Sequence, residues 1–253
     1  MTDLELLSSL TNKEICSIIL RGIIRFIPVD PYKYHNYDQY LGDLREKLKF
    51  AHVEDCDLAI ASIDLVEDTE YAIHEFLENG LGEENKFHQV NFGQAYLRLY
   101  GILNAVYQQI NAVREISTIF HLDNKNKRIL ELTEHQIYKI RNKIGSHTTS
   151  YMIDKKRVNN RENLDFFRVT RISLSKDGKD LAIVSQKGGV EKIDLKKIVR
   201  SYNKLAESIL IDICKKSIYK IFPNKYENRD WLEFRLEFIL NRNEKLKPAA
   251  NKG

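Results

Sequence analysis

Proline, cysteine and long apolar segments are all scarce in this sequence, and each absence excludes a class of protein. Only four prolines occur in 253 residues, so few positions interrupt a helix. The three cysteines are scattered without metal-ligand spacing, which favours reduced thiols in a cytoplasm over disulfides or a zinc site. The most apolar stretch, 15–29, contains Arg21 and Arg25 and lacks a signal-peptide cleavage site. We therefore expect no membrane span, no metal and no other cofactor.

Charged side chains are plentiful, at 30% of all residues, but they are unevenly distributed. Residues 51–90 hold eleven Asp and Glu against one Lys, whereas residues 121–161 hold ten Lys and Arg against four Asp and Glu. The basic segment is compatible with an anionic ligand. Two oppositely charged solvated faces of one bundle would produce the same pattern, and the sequence leaves both interpretations open.

Apolar residues at intervals of three and four predict long helices in the first 150 residues. Thr11 to Glu14 has the form of a capping box, which predicts a helix that ends before Pro28. Further helices are predicted at about 38–51, at 55–79 with Gly80 as its C-terminal cap, at 92–120 and at 128–147. The positions expected to be buried are Leu58, Val66, Ile73 and Leu77 in the first long helix, and Leu99, Ile102, Val106, Ile110 and Val113 in the second.

The sequence pattern changes after residues 154–163. Alternation at 166–175, the Asp-Gly turn signal within 176–179 and the apolar run 181–185 predict a hairpin, with a third strand at 190–193. Asp194 is expected to cap a helix over 195–221, and a last helix is predicted at 227–241.

Together these elements predict a mainly α fold, an up-down helical bundle with a small antiparallel β-hairpin or meander inserted at about 166–193. We expect an N-terminal helical extension at 1–52 and the bundle with its β insertion at 53–222. The remaining residues, 223–253, are predicted to form a C-terminal helix and a basic tail packed on the bundle.

One motif carries candidate chemistry, and it lies late in the predicted helix 128–147. Arg141 is followed by the polar Asn142 and, six positions after the arginine, by His147. This arrangement resembles the signature of the HEPN superfamily, helical-bundle proteins many of which are ribonucleases of toxin–antitoxin, abortive-infection and CRISPR systems. The resemblance covers roughly residues 55–220 and implies a HEPN-like bundle in which the motif follows two long antiparallel helices.

The spacing of arginine and histidine alone is weakly specific. Three other pairs in the chain also fit it. They are Arg45 with His52, Arg114 with His121, and Arg128 with His135. Only Arg141 is followed by a polar uncharged residue, and only its pair lies after the long helices in the basic segment.

Helical geometry places the motif beside a buried surface. Ile137, Ile140 and Ile144 share one helix face, and His147 would point the same way, with Arg141 at its flank. The alternative interpretation is a basic helix end, at which glycine weakens the helix and the cations complement the macrodipole.

These residue types suit cleavage of RNA without a metal. A histidine with a pKa near the usual value of about 6.5 transfers protons at neutral pH, and an arginine binds two phosphate oxygens. The resemblance implies that Arg141, Asn142 and His147 are catalytic. It also implies a homodimer with two facing motifs, in which the isoleucine stripe partly meets its symmetry mate. Lys139 and Lys143 are candidate nucleic-acid contacts, or simply solvated lysines.

One family feature is missing. In HEPN toxins paired with a nucleotidyltransferase antitoxin, a tyrosine often follows the histidine by two positions, whereas Thr149 stands there in this chain. Inactivation by tyrosine modification is therefore not expected, although an antitoxin or nucleotidyltransferase partner is compatible with the resemblance. Our first hypothesis is a cytoplasmic toxin or phage-defence ribonuclease whose products end in 2′,3′-cyclic phosphate. The alternative is a non-catalytic helical module that binds nucleic acid or protein.

Overall fold

A computed structural model of the chain describes residues 2–28, 33–83, 90–145, 151–152, 164–165, 167–224 and 227–245. Within these ranges the fold is mainly α, with short antiparallel strands between the seventh and eighth helices. The helices are α1 (Asp3–Ser9), α2 (Asn12–Arg25), α3 (Tyr37–Leu48), α4 (Asp55–Asn79), α5 (Phe92–Ile119), α6 (Lys125–Glu134), α7 (Gln136–Gly145), α8 (Leu195–Ile221) and α9 (Glu227–Lys245). The strands are β1 (Tyr151–Met152), β2 (Leu164–Asp165), β3 (Phe167–Val169), β4 (Leu181–Ser185) and β5 (Val190–Ile193). The predicted fold class is confirmed.

Side-chain caps define where several helices begin. The Thr11 hydroxyl accepts from the backbone N–H of Glu14, and the Glu14 carboxylate accepts from the N–H of Thr11, so the predicted capping box at α2 is confirmed. A second box between Thr2 and Glu5 starts α1, which the sequence analysis missed. Asp194 caps α8 as predicted, because its carboxylate accepts from the N–H of Lys197 at 2.9 Å.

The two long central helices match their predicted ranges, and all five apolar positions predicted to be buried in α5 are buried. In α4 the prediction for Leu58 is wrong, since 42% of its surface is exposed. The buried stripe of α4 instead includes Ala59, Ile63, Val66 and Ile73. Successive steps of four, three and seven residues keep these positions on one face, and Leu58 precedes that face by one residue, or about 100° of rotation.

The single helix predicted at 128–147 is wrong, because the chain forms two helices that meet at His135. Its carbonyl accepts from the N–H of Tyr138 at 3.0 Å, and its ring Nδ1 accepts from the N–H of Ile137 at 3.3 Å. Histidine thus takes the position of an N-cap residue, a role that sequence preferences assign mainly to Ser, Thr, Asp and Asn.

The first predicted strand is shorter than expected, with β3 ending at Val169. Thr170 and Ser173 then form a 3₁₀ turn in which their hydroxyls bond each other at 2.9 Å. The Ser173 hydroxyl also accepts from the N–H of Ala182 at 2.9 Å, so a side chain replaces the ladder partner of β4. Strands β4 and β5 occupy their predicted ranges.

The chain divides into two compact units. The first comprises Met1–Asp68, Asn111–Asn126 and Ala206–Gly253. Within it α2 packs on α9, and a side chain added at Gly22 would meet Leu232 at 3.0 Å, which shows how closely these helices approach. Lysine side chains bind helix-end carbonyls: Lys49 Nζ donates to the carbonyl of Lys220 at 3.3 Å, and Lys216 Nζ to that of His121.

The second unit comprises Thr69–Ile110 and Lys127–Leu205 and contains the sheets. Strands β3, β4 and β5 form an antiparallel sheet in that order, with Phe167 opposite Ser185 and Leu181 opposite Ile193. A separate ladder joins β1 to β2, which the sequence analysis did not predict. Helix α7 packs on β3. The division at 1–52, 53–222 and 223–253 that we proposed from the sequence stays a prediction. Among the helices in the described ranges, none is both long and apolar enough to cross a bilayer.

The turn after α4 yields a stability prediction. Gly80 has a φ of +65°, and an added Cβ would lie 2.0 Å from the carbonyl oxygen of Lys176, which accepts from the N–H of Leu81. Gly80→Ala should lower the free energy of unfolding by more than about 1 kcal/mol. Gly101→Ala is the matched control: it lies within α5 with no atom within 4 Å of the added Cβ, and should stabilise by about 0.5–1 kcal/mol. Urea unfolding of both variants measures the difference, and equal effects would contradict the prediction.

Candidate nucleic-acid interface at helix α7

Helix α7 is held in place by the stripe predicted from its sequence. Ile137, Ile140 and Ile144 are 0%, 1% and 0% exposed, so the prediction of a buried stripe is confirmed. These side chains are covered by their own chain, however. The expectation that the stripe partly meets a symmetry mate is therefore wrong, and a homodimer would have to use another surface.

Arg141 projects from α7, and its guanidinium lies over an aromatic ring of another helix. Its guanidinium carbon is 3.9 Å from the ring centre of Tyr107 on α5. The Tyr107 ring is also stacked with that of Tyr138, with centroids 6.0 Å apart and planes inclined at 29°. All three side chains are half-buried, which strengthens a cation–π contact because less water competes for the guanidinium.

Asn142 fixes one edge of the guanidinium. Its Oδ1 accepts from Nη1 of Arg141 at 3.1 Å. A Cβ added at Gly145 would lie 3.8 Å from Nε of Arg141, so the Nε side of the guanidinium faces the end of α7. Among the described residues Arg141 has no hydrogen bond besides that with Asn142. The N–H groups of Nε and Nη2 form the fork that binds two oxygens of a phosphate.

His147, which the motif pairs with Arg141, lies outside the described residues, as does Thr149. The last described residue before them is Gly145. The structure therefore brings together Arg141 and Asn142 of the predicted set and says nothing about the position of the imidazole.

The two lysines predicted to bind nucleic acid differ in their surroundings. Lys139 is exposed. Lys143 forms an ion pair of 2.6 Å with Glu191 on β5, and its ammonium lies 5.4 Å from the ring centre of Phe167 on β3. This pair links α7 to the sheet, and a phosphate would have to compete with Glu191 for the ammonium.

Several members of the other arginine–histidine pairs have partners elsewhere in the chain. His135 caps α7, and its partner Arg128 is paired with Glu131 at 2.7 Å. His121 Nε2 lies 3.0 Å from the carbonyl of Lys49, and Arg45 contacts Glu46 at 3.3 Å. The choice of Arg141 and His147 over these pairs stays a prediction.

His135 also lies next to a hydroxyl, in an arrangement that resembles a nucleophile and its base. Its Nε2 is 3.3 Å from Oγ of Ser201. Because Nδ1 accepts the N–H of Ile137, the neutral ring carries its proton on Nε2 and donates to the hydroxyl. In that tautomer His135 is unable to accept the proton of Ser201, so the pair is not an activated nucleophile.

Metal and thiol chemistry find no support in the part of the chain that the structure describes. It holds no group of three or more His, Cys, Asp and Glu side chains that could bind a metal ion. Burial and the nearby Asp57 and Asp55 raise the pKa of Cys56 to about 11. A hydrogen bond with Cys214 and burial raise the pKa of Cys16 well above its usual value, so these thiols stay protonated at neutral pH.

Sequence reasoning missed the two residues that define the surroundings of α7. Tyr107 precedes Arg141 by 34 positions and Glu191 follows Lys143 by 48, so no local pattern relates them. The spacing of Tyr138 and Arg141, three residues apart on one helix, was a usable signal that they are neighbours.

The cap at His135 predicts a pH dependence of stability. Burial lowers the pKa of His135 below its usual value, so between the two values the unfolded chain binds more protons than the folded chain. The contribution of the neutral His135 ring to the free energy of unfolding is fully present above about pH 6.5. It is lost as the pH falls through the lowered pKa. We expect His135→Asn, which keeps a capping acceptor that does not titrate, to flatten the decrease in melting temperature between pH 7 and 5.

His74→Asn is the control for this titration, since His74 is exposed on α4 and contacts Glu78 at 3.5 Å. It should leave the pH profile of the melting temperature close to that of the original chain. An unchanged profile for His135→Asn would contradict the capping role.

Comparison with known proteins gives no assignment. The chain matched no family model, no curated protein and no solved structure.

Proposed function

We propose that this protein is a metal-independent endoribonuclease of HEPN type that binds the scissile phosphate at the C-terminal end of α7. The observation that carries the proposal is the way in which the Arg141 guanidinium is held and oriented. Its guanidinium is stacked on Tyr107, bonded to Asn142 on one edge, and directed by its Nε side toward the end of the helix. A guanidinium held in this way loses little side-chain freedom when it binds a phosphate.

The reaction needs a proton acceptor and a proton donor around that phosphate. The 2′-hydroxyl of RNA loses its proton and attacks phosphorus, the P–O5′ bond breaks, and the 5′-oxygen takes up a proton. His147, which follows α7 by two residues, is the proposed proton-transfer group, and the cationic Arg141 stabilises the extra negative charge of the phosphorane. A second His147 from a homodimer would supply the other proton transfer. The products are a 2′,3′-cyclic phosphate and a free 5′-hydroxyl.

The biological setting follows from the HEPN resemblance. We infer a cytoplasmic toxin or phage-defence effector, restrained by an antitoxin or nucleotidyltransferase partner. Expression without that partner would then arrest growth.

A second candidate is a module that binds RNA without cutting it. The described part of α7 favours this candidate, because it supplies phosphate-binding groups but no available proton-transfer group. His135 lies at the opposite end of α7 and is used as a helix cap. Both candidates predict RNA binding through Arg141, and they differ in whether the RNA is cut.

Substitution of the motif residues tests the proposal. His147→Ala should lower the cleavage rate of a labelled single-stranded RNA by about 10²–10⁴-fold with little change in affinity, because it removes proton transfer. Arg141→Ala should weaken both binding and cleavage, because it removes the phosphate ligand. Cleavage is measured in the presence of a chelator, with the product ends identified by mass spectrometry.

Two exposed residues of the same unit provide matched controls. Arg200→Ala removes an equal charge from α8, and His74→Ala removes an imidazole from α4. Neither should change binding or cleavage by more than about twofold. Cleavage by His147→Ala at the original rate would refute the nuclease assignment, whereas RNA that is bound through Arg141 but left intact would support the non-catalytic module.

The ion pair between Lys143 and Glu191 gives a separate prediction. If Lys143 contacts RNA, Glu191→Gln frees its ammonium and should strengthen RNA binding by about two- to fivefold, the range expected for a partly exposed pair. Glu134→Gln, an exposed residue at the end of α6, controls for the general loss of negative charge. In a Lys143→Gln background the gain should disappear. A gain that persists there would show that Lys143 is a structural residue rather than an RNA contact.

A further inference from the structure

We infer that Tyr107 is a positioning residue, which holds the Arg141 guanidinium in the orientation that binds phosphate. This inference rests on the proposed function in one respect, namely that Arg141 is the phosphate ligand. The positioning itself rests on geometry, because the guanidinium carbon lies 3.9 Å from the Tyr107 ring centre and both side chains are half-buried.

Stacking restrains the guanidinium without using its hydrogen-bond donors. The N–H groups of arginine lie in the plane of the guanidinium and point outward, so a ring against one face leaves them available. A carboxylate at the same place would occupy the donors that a phosphate needs. An aromatic ring therefore fixes the plane of Arg141 and keeps it able to bind an anion.

Two contacts together set the direction of the guanidinium edge that has no hydrogen bond to any described residue. Tyr107 fixes the plane of the guanidinium, and Asn142 binds Nη1, which fixes its rotation within that plane. The remaining fork is formed by Nε and Nη2, on the side nearer Gly145. A phosphate bound there would lie at the C-terminal end of α7.

Tyr138 adds a second contact between α7 and the Tyr107 ring. It stacks with Tyr107, and it belongs to the same helix as Arg141 at a spacing of three residues. Helix α7 thus contacts the Tyr107 ring through two of its side chains. Within the described part of the chain the Tyr107 hydroxyl has no hydrogen bond in the structure, so the ring rather than the hydroxyl performs the positioning.

The test compares Tyr107→Phe, which keeps the ring, with Tyr107→Leu, which removes it. Binding is measured with a single-stranded RNA that carries 2′-O-methyl groups and is not cut. We expect Tyr107→Phe to bind within about twofold of the original chain and Tyr107→Leu to bind about 2- to 30-fold more weakly, the range of a cation–π contact. With unmodified RNA, Tyr107→Phe should retain cleavage, whereas Tyr107→Leu should lose it.

A double-substitution cycle separates positioning from a general loss of structure. In an Arg141→Ala background, Tyr107→Leu should cause no further loss of RNA binding, because the group that it positions is absent. A further loss of similar size in that background would overturn the inference. Tyr107→Met, whose longer and more flexible side chain adapts better to the space left by the ring, replaces the leucine variant in this cycle if the latter unfolds.

A nuclear magnetic resonance measurement tests the positioning without RNA. The Nε–Hε signal of Arg141, identified by its loss in Arg141→Ala, should be displaced by the ring current of Tyr107. It should move in Tyr107→Met and stay in place in Tyr107→Phe. An unmoved signal in Tyr107→Met would refute the positioning. If the signal moves but the original protein binds no RNA, the positioning of Arg141 by Tyr107 is supported and the proposed function is refuted.

Discussion

Burial of three isoleucines determines where the described side chains of the candidate site lie, namely Arg141, Asn142 and Lys143. Helix α7 has only ten residues, too few to be stable alone in water, so its existence depends on packing. Ile137, Ile140 and Ile144 supply that packing and are almost completely removed from solvent. Once this face is fixed, the rotation of the helix is fixed too. Arg141 then meets α5 on one side of the stripe, and Lys143 meets the sheet on the other.

The features of the fold that could be predicted are those that depend on residues close together in the chain. The capping box of α2, the apolar steps of α5, the range of α4 and the two strands β4 and β5 are all features of this kind. The single helix at 128–147 and the full length of the first strand were predicted wrongly, because a side chain replaced a usual backbone or capping partner. His135 capped a helix that periodicity would have continued, and Ser173 took the place of a strand partner. Neither residue is a strong signal for the role it has.

The candidate site was predictable only in part, because some of its contacts come from residues far apart in the sequence. Arg141 and the stripe beside it could be identified from spacing within one helix, whereas Tyr107 and Glu191 reach α7 from distant parts of the chain. Charge patterning was likewise an incomplete guide. The acidic segment 51–90 includes Asp64 and Glu67, which both bind Arg21, and the basic segment includes a lysine that is already paired. An excess of one charge in sequence therefore overstates the charge available to a partner.

The break at His135 separates the helical phase of α7 from that of α6. In one continuous helix, each residue inserted or deleted upstream would turn every later side chain by about 100° and carry Arg141 away from its ring. Because α7 begins at its own cap, its orientation is set by its own buried face. The direction of the guanidinium is therefore set independently of the length of α6.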